Sequence, residues 1–142
     1  MNIAYHLNNY KRDNVFLLDT KKNMLMTGKF TKVLYSNDFL NTVGLYFLIH
    51  LEGNYVSNSL FKIDKIKDLD ILYKIEEDIL TFYKKKFDVT KPFNYTLKDT
   101  LLNNVLKLYK TSDYGDRTIL KISGIWENDT NIGITFKFSK VN

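Results

Sequence analysis

Few side chains in this sequence could carry acid–base or nucleophilic chemistry, and they do not cluster. There is no cysteine, which removes disulfides, thiol catalysis and thiolate metal sites together. Of the two histidines, His6 falls in an N-terminal stretch without periodicity and His50 inside an apolar run. Neither has a companion at a spacing that serves a general base or a metal, and His50 reads as a structural histidine. The 6 glycines stand singly, so no glycine-rich loop is available to cradle a phosphate. Glu76-Glu77-Asp78 is a dense carboxylate run. Adjacent residues on a helix point in different directions, so the run reads as a solvated helix face rather than an acid–base pair or cation site. Lys84-Lys85-Lys86 reads likewise as a solvated helix end. The expectation is no catalytic residue, no metal, no cofactor and no enzymatic activity.

A different chemistry is better represented. Aromatic residues make up 15% of the chain, with 10 Tyr, 10 Phe and 1 Trp, and several stand beside cations. Tyr10 precedes Lys11 and Arg12. Phe30 lies between Lys29 and Lys32, with Tyr35 further along. Arg117, Lys121, Trp126, Lys137 and Lys140 occupy the last part of the chain. Binding of a single strand needs this mixture: cations follow the phosphates, and each stacked base contributes about 1–3 kcal/mol without demanding a particular sequence.

The charge distribution agrees. The formal charge is +5, but residues 1–37 carry +4, residues 38–116 carry −1 and residues 117–142 carry +2. The excess positive charge lies in the two ends of the chain, which invites a polyanionic partner. Some rings have a competing use. Phe136 and Phe138 alternate in step with Ile132 and Ile134 and belong to a core face. By simple alternation Trp126 shares a face with Leu120 and Ile122, which favours the core, while its place beside a turn keeps a surface role open.

The elements that must position these residues follow from period and punctuation. Residues 15–19 form a short apolar strand. Residues 24–36 alternate as one strand or as two broken at Gly28, and residues 44–52 suit a central strand buried on both sides. Gly53-Asn54 signals a turn, with a weaker strand over residues 56–63. Over residues 68–87, Leu69, Leu72, Tyr73, Ile79, Leu80, Tyr83 and Phe87 recur at helical spacing, with Asp68 as N-cap. Pro92 separates this helix from a second that opens at Thr96 and presents Leu101, Leu102, Val105, Leu106 and Tyr109. Residues 117–127 and 132–141 close the chain as a hairpin around a turn at 128–131. This is a β-rich α+β layout in a single domain spanning residues 1–142. It suits an OB-fold-like small barrel or curved antiparallel sheet with one or two helices inserted before the C-terminal hairpin.

The longest apolar run, residues 43–49, is far below the roughly 20 residues of a membrane-spanning helix. The N-terminal stretch lacks the apolar segment of a signal peptide. The expected location is intracellular, with no membrane partner.

Residues 122–138, with Gly124-Ile125-Trp126, a short polar turn and Gly133-Ile134-Thr135-Phe136-Lys137-Phe138, resemble the closing hairpin of small single-stranded DNA-binding proteins of nucleocytoplasmic large DNA viruses. The order of strands, central helix and Gly-aromatic hairpin is similar over most of the chain. Single-strand-binding proteins of cytoplasmic linear plasmids are similar in size and composition. The long helical stretch after Pro92 departs from the pattern. The resemblance implies a sequence-tolerant single-stranded DNA-binding protein that supports replication or recombination of a viral or plasmid genome in the host cytoplasm or nucleus, with RNA as the other candidate strand. The competing expectation is a protein-interaction or virion structural module that assembles, as a homo-oligomer for instance, through sheet edges and the apolar 43–49 region.

Overall fold

The computed structural model describes residues 4–22, 28–108 and 117–141. The expected positions Met24 and Tyr109 lie outside the described residues.

The C-terminal hairpin forms as its alternation dictates. Strands β9 (Arg117–Glu127) and β10 (Ile132–Val141) pair antiparallel from Arg117↔Val141 to Glu127↔Ile132. The Asn128 side-chain oxygen closes the turn by accepting from the backbone N–H of Thr130 at 2.9 Å and of Asn131 at 2.8 Å. The ladder contains one irregularity: Gly124 pairs with Thr135 and Ile122 with Phe136, leaving Ser123 as an extra residue. A bulge of this kind reverses the alternation of the strand that carries it. Leu120, Ile122, Ile125 and Glu127 therefore face one way, while Lys121, Gly124 and Trp126 face the other.

β9 is the axis of the main sheet. Its second edge is shared by β5 (Leu45–Ile49), which pairs with residues 118–122, and by β3 (Lys29–Ser36), which pairs with residues 124–127. β4 (Asn41–Val43) first pairs with β3, and the chain then swings onto β9 at Gly44, whose φ of +93° is open to glycine at little cost. β2 (Val15–Lys22) covers the far edge of β3, and β1 (Tyr5–His6) adds to β5 in parallel. The path β1-β5-β9-β3-β2 is not closed by any pairing of its ends among the described residues, so the sheet is open and mixed and no barrel forms.

A second sheet holds β6 (Leu51–Tyr55), β7 (Leu60–Ile66) and β8 (Val105–Lys107) in that order. The apolar run expected as one central strand is thus divided. It bends at Gly44 and leaves the main sheet at His50 for the second one. Gly53-Asn54 is not a turn but part of β6. A Cβ at Gly53 would stand 2.0 Å from the Lys62 carbonyl oxygen, so the glycine permits a close backbone approach there. The turn falls at 56–59, where the Val56 N–H bonds the Leu60 oxygen.

Helix α1 (Leu69–Phe87) matches its expected span. It buries Leu72, Ile75, Ile79, Leu80 and Tyr83, each aliphatic side chain worth about 2 kcal/mol of transfer. Asp68 precedes it in the left-handed conformation, and its carboxylate makes no cap bond. Helix α2 (Thr96–Leu102) is shorter than its spacing suggested. Asn104 takes a φ of +58° and the chain enters β8, so Leu102 and Val105 are exposed rather than parts of one apolar face. A single buried cluster joins the inward side chains of both sheets to α1 and α2, from Leu45 and Phe47 through Ile79 to Phe61 and Ile63.

Candidate nucleic-acid interface

The Tyr83 hydroxyl of α1 donates to Glu127 at 2.6 Å, which fixes the helix side of the main sheet. The opposite side carries the residues that alternate with the core. In register across the strands stand Lys21 (β2), Phe30 (β3), Trp126 (β9) and Gly133 (β10). The next row holds Lys32, Gly124 and Thr135. A further row holds Tyr46, Lys121 and Lys137, followed by His6, Leu48, Ile119 and Ser139. At the other end Phe16, Leu34 and Val43 form an apolar row, with Phe16 50% and Val43 53% exposed.

The two rings at the centre lie over glycine. A Cβ at Gly133 would meet Trp126 Cζ2 at 2.3 Å, and one at Gly124 would meet the Thr31 carbonyl oxygen at 2.2 Å and Phe30 Cζ at 2.8 Å. Both rings stay partly exposed. The Lys121 ammonium lies 5.5 Å from the Tyr46 ring centroid. Lys121 and Lys137 are direct cross-strand partners of like charge, an arrangement that destabilises a sheet unless an anion lies between them. Among the described residues Lys21, Lys32, Lys121 and Lys137 form no ion pair with any carboxylate. The β2 irregularity sets Leu18 and Asp19 opposite Lys32. Beside the bulge a cleft of about 580 Å³ lies between the hairpin and α2–β8, lined by Ser123, Thr135, Phe136 and Lys137 together with Thr100 and Lys107.

The structure thus brings Phe30, Lys32, Lys121, Trp126 and Lys137 of the expected set onto one face, and places Arg117 at its end. It separates the others. Tyr35 is 1% exposed and packs against Tyr5 and Tyr10, so it cannot stack on a base. Tyr10 is held on the helix side, where its hydroxyl donates to Asp78 at 2.9 Å; burial and this bond push its pKa upward. Lys11 and Arg12 are exposed beside it, away from the ring-bearing face. Lys29 points to the Glu127 side, and Lys140 lies over Phe61 of the second sheet. Lys21 and Tyr46, missed as candidates, carry no motif and join the face only through register.

The carboxylate run is a solvated face only at Glu77. Glu76 is fully buried and accepts the N–H groups of Leu97 and Lys98 at 2.9 and 3.0 Å, capping α2; burial nonetheless raises its pKa. Glu77 accepts from the Tyr95 hydroxyl, whose pKa is pushed up to about 12 by burial and then by that bond. With Asp78 on Tyr10, three consecutive acids anchor two separate segments, the start of α2 and the N-terminal stretch. Lys91 donates to Glu127 at 2.7 Å and to the Asn128 oxygen at 2.8 Å. This group, which borders a cleft of about 320 Å³, ties the hairpin turn to the end of α1. Among the described residues no group of His, Asp and Glu is arranged to hold a metal ion, and no helix is long and apolar enough to cross a membrane.

No protein-family model, no curated protein and no solved structure matches this chain.

Proposed function

We propose that this protein binds single-stranded DNA, without strong sequence preference, on the sheet face that carries Phe30 and Trp126. The observation that supports the reading best is the cross-strand pair itself: two partly exposed rings lying over glycine, bordered by Lys21, Lys32, Lys121 and Lys137, none of which is paired with a carboxylate among the described residues. Unstacked bases can lie on such rings while lysines neutralise the phosphates on either side. A duplex keeps its bases stacked inside and gains nothing from the rings. The use proposed for this face is that of an OB-fold sheet, without the closed barrel. The hairpin resemblance supports a role in replication or recombination of a viral or plasmid genome.

Fluorescence anisotropy of labelled oligo-dT tests this. Binding that weakens steeply with salt and is lost in the Phe30→Ala, Trp126→Ala double variant is expected; equal affinity for duplex, or no binding, contradicts it. The second reading, assembly through sheet edges, draws on exposed Phe16 and Val43 and on a β10 edge that, among the described residues, lacks a strand partner beyond Ile134. Light scattering after size-exclusion chromatography identifies it by an oligomer that ignores both salt and DNA.

A further inference from the structure

At its far end the ring-bearing face runs into a cleft of about 610 Å³ between the main sheet and β6–β7. We infer that this cleft is a phosphate site, formed by Arg117, His50, Lys65 and Lys67. The side chains reach it from three places, the three cations from two strands. Arg117 opens β9, Lys65 and Lys67 lie on and just past β7, and His50 is the corner residue where the chain changes sheets. The corner is fixed, because the Lys67 N–H donates to the His50 carbonyl at 2.9 Å and Thr118 pairs with Ile49. The His6 ring lies nearly parallel to that of His50, at 8° and 6.3 Å between centroids. One acid, Glu52, lines the cleft, directly across the ladder from Lys65. Among the described residues neither it nor any other carboxylate forms an ion pair with Arg117, Lys65 or Lys67. Three unpaired cations held around one concavity attract a multiply charged anion. A guanidinium fork with ammonium point charges suits the tetrahedral oxygens of a phosphate group.

The site stands on these residues alone and does not require the ring-bearing face. The phosphate could belong to a small phosphorylated compound or to a nucleic-acid strand that leaves the face at Arg117. Along β9 that residue is about 30 Å from Trp126 at the usual rise of a strand.

The test is a heteronuclear NMR titration with inorganic phosphate against sodium chloride of equal ionic strength. Saturable shifts confined to Arg117, His50, Lys65 and Lys67 are expected, weakened about tenfold or more in Arg117→Ala. Lys67→Ala is the second variant, since it keeps the backbone bond to His50 and removes only an exposed ammonium. No localised shifts, or shifts indifferent to both variants, would overturn the site. Oligo-dT of about 16 and about 4 nucleotides then separates the two sources. Loss of affinity in Lys67→Ala for the longer strand alone assigns the site to strand phosphates, and no effect on either length assigns it to a small phosphorylated compound. Failure of the ring-bearing face would be read independently, in the Trp126 emission.

Discussion

Gly133 lies directly beneath the indole of Trp126, its hydrogen taking the place of a Cβ that would stand 2.3 Å from Cζ2 and 2.6 Å from Cε2. The contact is with a side chain and not with backbone, so the ring is what must give way. Gly133→Ala is expected to leave the hairpin folded while displacing Trp126. The emission spectrum should shift, and oligo-dT affinity should fall by about 1–3 kcal/mol, the worth of one stacked base. An unchanged spectrum with unchanged affinity would show that the ring's pose over the glycine is irrelevant.

Lys32, Lys121 and Lys137 lie on the ring-bearing side without carboxylate partners among the described residues. Each phosphate contact on a single strand contributes about 0.7 to the slope of log affinity against log salt. Replacing all of them by alanine should make the slope shallower by about 2, with little effect on melting temperature. The same replacement at Lys11, Arg12 and Lys140, which face elsewhere, should leave the slope unchanged. Binding isotherms across a salt series measure both.

Glu127 sets a pH dependence. Burial works to raise its pKa, but the Lys91 ammonium and the Tyr83 hydroxyl outweigh burial and hold the carboxyl below its ordinary value of 4.5. A carboxyl depressed in the folded state adds stability that is fully present above its unfolded pKa and lost as pH falls through the folded one. The melting-temperature gap between the native chain and Glu127→Gln should therefore be wide at about pH 7 and narrow at about pH 3. A gap that widens in acid contradicts the assignment.

Glu76 should behave as a buried cap. Glu76→Ala leaves the N–H groups of Leu97 and Lys98 without their acceptor, at a cost of about 1–3 kcal/mol in denaturant unfolding. Glu77→Ala, at an exposed site, should cost less than 1 kcal/mol, in the range of surface substitutions.

The hairpin, α1 and the coarse order of strands, then helices, then hairpin could be read from period and punctuation, because those signals are local; β8, between α2 and the hairpin, could not. The ring-bearing face could not. Trp126 alternates with Leu120 and Ile122 in the sequence, and only the extra residue at Ser123 turns it outward to join Lys121. Nothing in the residue types around Ser123 announces that insertion. The acids of α1 were misread for a similar reason: Asp78 and Glu76 find their partners 68 and 21 residues away, beyond the reach of any local pattern. The second helix misled through spacing, since residues 101–109 fit a helix until Asn104 adopts a left-handed turn. The strand expected over residues 44–52 hides a change of sheet, because hydropathy records that a residue is buried and not which layer buries it.

The most direct measurement is titration of the native protein with oligo-dT, following the emission of Trp126, the chain's only tryptophan. Base stacking on the ring-bearing face predicts saturable quenching at low salt that is reversed by added salt and reduced in Phe30→Ala. Emission that stays constant while the oligonucleotide is shown to bind, or a chain that does not bind it at low salt, would contradict the account.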